Sequence, residues 1–404
     1  MKILWAKTDF LHPTNRGGQI RTLEMLKQLH RHHEIHYVSF HDESNREGLE
    51  RSREYSTHAY PVRFEVVPKN SPRFAVQLLK GLVSPIPVAG MRYRSEAMRK
   101  AISRIVTEQD FDAKICDFLF PAINIEDVSG WTLFQHNVES VIWERHAQKG
   151  RTAAHRAYFA LQARRMREWE QDICRSVSQV IAVSEIDEAI FRERFGVERT
   201  GWVPTGVDVE YFRSPENSAR TNELVFVGSM DWMPNIDGIE WFLSEVFPLI
   251  RARKPDCRLA IVGRNPPASL AQGGDRAVTI TGTVPDVRPY LWKSAVSIVP
   301  LRIGGGTRLK IFEAMAAGTP VISTSIGAEG LPAVDGDTIL IADTAQEFAE
   351  RCLRLLNDPS ERATISSRAL RLIRSRFSWE QVGRQFESLL VNSGVSSTAP
   401  LPVR

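Results

Sequence analysis

Short apolar runs alternate along the whole chain with longer stretches whose apolar residues recur every three or four positions. The first pattern predicts strands and the second predicts helices. In the first half, residues 2–6, 36–40, 64–67, 113–117, 131–135 and 180–183 read as strands, and residues 18–31 as a helix. In the second half the strand runs are 224–227, 258–262, 278–280, 296–299, 321–323 and 338–341. Between them, Ile236, Ile239, Leu243, Val246 and Ile250 form a helical stripe. Strands that are continuously Val/Ile/Leu-rich and separated by helices belong to parallel sheets covered on both faces. Two such series in tandem predict an α/β protein of two doubly wound, Rossmann-like domains facing a cleft. The turn-prone stretch around Tyr211 to Asn222 marks the junction. The expected division is an N-terminal domain over 1–208, a C-terminal domain over 209–376, a helix over 377–392 that packs back on the N-terminal domain, and a flexible tail over 393–404.

A chain of 404 residues, 43% hydrophobic and 25% charged, is an ordinary globular protein and not a disordered or collagen-like one. No apolar run reaches the ~20 residues that span a bilayer. The N-terminus moves straight into a strand pattern, without the apolar length of a secretory signal. The cysteines Cys116, Cys174, Cys257 and Cys352 form no CxxC pair and sit among apolar residues, as buried reduced thiols of a cytoplasmic protein do. The net charge of +4 is concentrated between Val141 and Arg175, where eight basic residues face four acidic ones. Trp143, Tyr158, Phe159 and Trp169 interleave with them. That segment fits peripheral contact with an anionic membrane, and equally a solvated helix face whose aromatics point inward. The excess is too small and too local for a nucleic-acid surface.

Ligands of open parallel sheets bind at the carboxyl ends of strands, so the loops there carry the chemistry. The strongest is the stretch from Pro300 to Pro320. A buried strand ends at Pro300, and Gly304, Gly305 and Gly306 let the backbone approach a ligand. Thr307 is placed as N-cap, a helix is expected from Arg308 to Ala317, and Gly318 follows as its C′ residue. Arg308 and Lys310 in the first turn oppose the positive end of the helix dipole by a few tenths of a kcal/mol. An anion bound there reverses that penalty, because free N–H groups, dipole and two cations converge on it. The alternative is a Lys310–Glu313 pair along the helix. Glu313, behind the anion, has the chemistry to accept two hydrogen bonds from a ribose diol. Gly17 and Gly18 open the first helix and permit close approach, but they are not a GxGxxG fingerprint. His136, at the end of a strand, is expected to face the ligand, and Gly228 begins the first loop of the second domain. Asp335-Gly336-Asp337 has the DxD form of a metal-binding turn and also the composition of an ordinary surface turn.

Several of these stretches, in this order, resemble the group 1 (GT4-type) glycosyltransferases of GT-B fold. The resemblance is carried by Glu313 to Val321 (Glu-Ala-Met-Ala-x-Gly-x-Pro-Val), by Pro204-Thr205-Gly206-Val207-Asp208 and by Ala182-Val183-Ser184-Glu185. Gly282-Thr283-Val284-Pro285-Asp286 adds to it. The likeness is greatest to bacterial exopolysaccharide sugar transferases. It implies a retaining enzyme that moves a sugar from a UDP- or GDP-linked donor to a glycan or lipid-linked acceptor, without a metal or other cofactor, in the cytoplasm or at the inner membrane face. It further implies that Glu313 binds ribose, with Val284 near the base. Arg308, Lys310, Gly305, Gly306 and Thr307 would hold the diphosphate, with Gly228 beside them. Gly17 and Gly18 would approach the phosphate and sugar, and His136 would contact the sugar. Two departures stand out: Gly305 occupies the place of a second glutamate, and Ser229 and Asp237 stand about where many members carry Arg and Lys. A catalytically silent nucleotide-sugar-binding subunit and a GT-B-fold epimerase are the competing readings.

Overall fold

The computed structural model describes residues 1–394 apart from 15–16, 43–45, 66, 68–70, 73–77, 79–80, 82–83, 149–151, 216–218, 268–269, 271–275 and 304–308. The chain divides into two compact units, Met1–Pro204 with Val382–Arg404, and Thr205–Gln381.

The first unit is built on a seven-stranded sheet. Its strands are β1 (Lys2–Lys7), β2 (Glu34–His41), β3 (His58–Arg63), β4 (Ala113–Asp117), β5 (Thr132–Phe134), β6 (Gln179–Ala182) and β7 (Thr200–Trp202). All pair in parallel in the order β3-β2-β1-β4-β5-β6-β7. The order reverses between β1 and β4, so the loops after those strands flank the switch point where doubly wound sheets bind ligands. The expected strand at 64–67 is replaced by β3, six residues earlier in the chain. Its sequence His-Ala-Tyr-Pro-Val-Arg is half polar and contains Pro61, which lacks a ladder donor. Such a strand is tolerated at a sheet edge, and β3 is the edge. The three-residue β7, with Gly201 at its centre, gave too short a pattern to read.

Helix Trp379–Gly394 begins in the second unit and from Val382 onward belongs to the first. Val382, Phe386 and Leu390 recur at four-residue spacing and are buried. The Phe386 ring packs 5.7 Å from Trp5 and 5.0 Å from Phe134. Gly383 allows this approach, since a Cβ there would lie 2.9 Å from the Gln28 Cβ.

The second unit has six parallel strands: β8 (Thr221–Val227), β9 (Arg258–Val262), β10 (Val278–Ile280), β11 (Ser294–Val299), β12 (Val321–Ser323) and β13 (Leu340–Ile341). Their order is β10-β9-β8-β11-β12-β13, with the switch point between β8 and β11. Helix Met233–Trp241 follows β8, and helix Leu309–Ala316 follows β11. Gly238 lets the first of these press on the backbone after β11, because a Cβ there would meet the Pro300 carbonyl oxygen at 2.4 Å. The second ends as its sequence dictates. Gly318 has φ +69° and its N–H donates to the Met315 carbonyl. Core residues cover both faces of the sheet, and all four cysteines are buried free thiols.

Candidate functional site

In the second unit the switch point gathers residues from three strand ends. Lys310, one residue into helix Leu309–Ala316, extends its ammonium to Asn235 Oδ1 at 2.7 Å. The same nitrogen lies 4.4 Å from the centre of the Phe226 ring, a cation–π contact. Asn235 is fixed in turn by donating Nδ2 to the Ser229 carbonyl at 2.6 Å. Gly228 explains itself here: a Cβ would stand 2.7 Å from Lys310 Nζ and 2.9 Å from Asn235 Nδ2. Gly263 is equally required, because a Cβ would collide with the Gly228 carbonyl oxygen. The sequence alternative of an ion pair along the helix does not form; Lys310 turns to Asn235 across the switch point instead.

Glu313 sits one turn further along the helix. It is half-buried, and among the described residues its carboxylate has no hydrogen-bond partner. Burial raises its pKa to about 6, and the Lys310 charge holds it from rising further. A half-buried carboxylate with open acceptor capacity is suited to a diol. Val284 lies in the half-buried loop after β10, at the carboxyl edge of the same sheet. Gly305, Gly306, Thr307 and Arg308, expected around the phosphate, lie outside the described residues.

Two arginines not singled out by sequence occupy the same strand ends. Arg264, just past β9, donates Nε to Ser229 Oγ at 2.9 Å and lies 3.4 Å from Asp231. Arg302, just past β11, makes a two-point contact with Asp237 at 2.7 and 3.1 Å. Ser229 and Asp237 are the two positions where the motif departs from basic residues. A neighbouring loop therefore brings a guanidinium to each. The only sequence signal was an arginine two or three residues past the end of each of two apolar strands.

The first unit places a buried polar network at its own switch point. Asp117 ends β4 and is fully buried. Its Oδ1 lies 3.1 Å from Lys7 Nζ and 2.8 Å from His136 Nε2. Its Oδ2 accepts from Trp5 Nε1 at 2.9 Å and from Thr22 Oγ1 at 2.7 Å. Burial alone would raise the Asp117 pKa, but the charge of Lys7 and the contact with His136 overcome it and hold the carboxyl well below the usual carboxylate range. His136 is pushed down to about 3, mainly by burial, with Asp117 opposing and Arg21 adding to the effect. It is a neutral imidazole. Arg21 approaches its Nδ1 at 3.0 Å, and Phe118 stacks on its ring at 3.9 Å.

His136, expected to face the ligand, is thus 4% exposed with both ring nitrogens engaged. Phe118 holds its stacked position with a φ of +69°, an unusual value for a bulky residue. Gly18 is needed for the same packing, since a Cβ would stand 2.9 Å from Phe118 Cζ, while Gly17 is exposed with open space around it. Lys7 and Asp117 were missed by sequence; their signal was a charged residue as the last position of each strand.

Behind this network, Glu170 caps helix Glu139–Gln148. Its carboxylate accepts from the N–H groups of Glu139 (2.8 Å) and Ser140 (2.9 Å) and from Gln135 Nε2 (3.1 Å). Burial raises both Glu170 and Glu139 to about 7, and the Glu170 charge adds to the rise at Glu139.

Elsewhere, the two carboxylates of Asp335-Gly336-Asp337 are committed to arginines, Asp335 to Arg351 and Asp337 to Arg368, both at 2.8 Å. In the basic segment, Arg167 pairs with Glu144, and Arg175 donates to the Phe195 carbonyl at 2.6 Å. Trp143 and Phe159 stack on each other at 5.7 Å. No helix among the described residues is long and apolar enough to cross a membrane.

Residues 221–358 match the family model described as "Glycosyl transferases group 1". Over 401 residues the chain is 23% identical to a Klebsiella pneumoniae protein known as an uncharacterized 44.6 kDa protein in the cps region, covering 94% of this chain and 97% of that one. It is 30% identical over 218 residues to the phosphatidyl-myo-inositol mannosyltransferase of Mycolicibacterium smegmatis, covering 51% of this chain and 55% of that one. Among solved structures, Anabaena HepE in complex with UDP and glucose superposes with a TM-score of 0.62 at 15% identity, over 97% of this chain and all of that one.

Proposed function

Because the chain is a group 1 glycosyltransferase of GT-B fold, we propose that its second unit holds a nucleoside-diphosphate sugar at the β8/β11 switch point and that the enzyme transfers the sugar with retention. The observation that carries the assignment is the Lys310 ammonium, held by Asn235 and Phe226, with the open Glu313 carboxylate one turn behind it. The ribose diol binds Glu313. The diphosphate lies toward Lys310 and the glycine-rich loop, with Arg308 and the backbone of Gly305, Gly306 and Thr307 supplying further donors. Val284 borders the base.

The chemical demand is charge on the departing diphosphate. Cations and N–H groups fixed before the reaction stabilise that charge without reorganising. The acceptor hydroxyl attacks on the face from which the diphosphate leaves, and its proton passes to a donor phosphate oxygen. UDP and GDP are the donor nucleotides to be distinguished. The acceptor is a glycan or a lipid-linked sugar, a class supported by the mannosyltransferase relative that acts on phosphatidyl-myo-inositol. A lipid acceptor gives a purpose to the basic segment around Arg145 and Arg156, which would meet anionic headgroups. In the first unit, His136 acts by holding Asp117 and Arg21 in place, and Gly17 offers the open backbone.

The test is a thermal-shift series with UDP, GDP, ADP and NAD, followed by turnover with the sugar donors of whichever nucleotide binds. A ligand at a hundred times its Kd adds about 2.7 kcal/mol, which is a shift of a few degrees. A response to UDP or GDP that disappears in Lys310→Ala supports the assignment. A response to neither, or one unchanged in that variant, ends it. Binding without turnover toward any acceptor would favour the silent-subunit reading.

A further inference from the structure

A second constellation lies at the opposite end of the first sheet from its switch-point loops. Glu34 begins β2 and His58 begins β3, so both sit at the amino ends of their strands. Residues two apart on a strand share a face, which puts His36 beside Glu34. The parallel register then sets His36 directly against His58. Glu34 Oε1 lies 2.8 Å from His36 Nε2 and 3.4 Å from His58 Nε2, and the three ligand atoms all fall within 4.8 Å of one another. Four-coordinate zinc with bonds of 2.0–2.1 Å spaces its ligand atoms about 3.3 Å apart. The side chains need only small movements to reach that spacing.

We infer that Glu34, His36 and His58 form a three-ligand site for a zinc-class divalent cation, tying the edge strand β3 to β2. Two imidazoles and one carboxylate are a borderline donor set, which favours zinc over magnesium or calcium. His36 is also prepared beyond the ligand atoms themselves. Its Nδ1 lies 2.8 Å from the Tyr60 hydroxyl. That oxygen accepts the ring proton once Nε2 gives its lone pair to the metal, fixing tautomer and orientation. Phe111 packs edge-on against the His36 ring at 5.0 Å and walls one side. Glu34 and His58 are 45% and 51% exposed, which leaves an entry path and a fourth position for water. The neighbouring cation is Lys2, whose ammonium lies over Phe111 at 5.4 Å from the ring centre. Its repulsion weakens the site, so Lys2→Met should tighten it severalfold.

The test uses the full-length protein stripped with EDTA and dialysed, then titrated calorimetrically with Zn²⁺ and spectroscopically with Co²⁺. His58→Ala and Glu34→Gln are the variants, chosen because both side chains are about half exposed, so that neither change opens a buried cavity. The expected result is about one equivalent of zinc in the wild type, a visible Co²⁺ band typical of four-coordination, and at least roughly a tenfold loss of affinity in each variant. Zinc should also raise the wild-type melting temperature and leave that of His58→Ala unchanged. Equal zinc affinity in wild type and both variants, absence of binding at 0.1 mM zinc (a concentration about a hundred times a micromolar Kd), or preference for Mg²⁺ would each overturn the site.

Discussion

At the scale of single residues, the proposed site gives Lys310 and Glu313 separable tasks. In the proposed site Lys310→Ala would remove a charged hydrogen bond to phosphate, and it should weaken nucleoside-diphosphate binding by ~1–3 kcal/mol, measured by calorimetry. Glu313→Ala should weaken UDP or GDP binding by a similar amount, while having little effect on binding of inorganic diphosphate, which has no ribose. Glu313 also sets a pH dependence. Its pKa stands at about 6, so below that value the carboxylate acquires a proton and loses acceptor capacity. Nucleotide affinity should therefore fall as pH drops from 7 to 5, and the fall should vanish in Glu313→Ala. His136 teaches a different lesson. A histidine at a strand end invites assignment as a ligand, yet here two neighbours hold its ring nitrogens and Phe118 covers its face. Burial outweighs the Asp117 attraction and favours its neutral imidazole.

At the scale of elements, helix Glu139–Gln148 carries a built-in pH response. Burial raises Glu139 and Glu170 alike, and the charge of each opposes that of the other, so the pair holds a proton in the folded state. A carboxyl whose folded pKa is raised to about 7 binds more protons folded than unfolded between about pH 4.5 and 7. Stability is then greatest below that window and is lost as pH rises through it. Glu139→Gln removes this term, so its melting temperature should exceed that of the wild type at pH 8 by a few degrees and match it near pH 5, read by calorimetry. The helix Trp379–Gly394 makes a second element-scale case. Phe386 sits between Trp5 and Phe134, and Phe386→Ala should cost about 3–5 kcal/mol by the cavity it leaves. Chemical denaturation would measure it; a loss below ~1 kcal/mol would mean that this helix is not part of the first unit's core.

At the scale of the whole molecule, the two units repeat one architecture, a parallel sheet with a switch point, and carry different loops on it. Catalysis that needs only fixed cations and backbone donors should survive EDTA; loss of turnover that Mg²⁺ or Mn²⁺ restores would require a metal at the diphosphate. Much of this organisation is legible in the chain. Strand positions 2–6, 113–117, 224–227 and 258–262 announce themselves because a parallel strand buried on both faces must be continuously apolar. The proposed anion loop can be read from the chain because its candidate residues are consecutive, and a site of consecutive residues leaves a consecutive signature. β3 was misplaced because an edge strand needs burial on fewer sides and tolerates Pro61. The arginines brought to Ser229 and Asp237, the Lys7–Asp117–His136 network and the Glu34–His36–His58 cluster left no such signature, because each joins residues from different strands. By itself the sequence determined the alternation of strands and helices and the two-domain α/β class, and it carried the resemblance to the family, all of which depend on neighbours along the chain. Only the tertiary structure decided which side chains share a strand end, because that depends on strand order and register, fixed by packing between residues far apart in sequence.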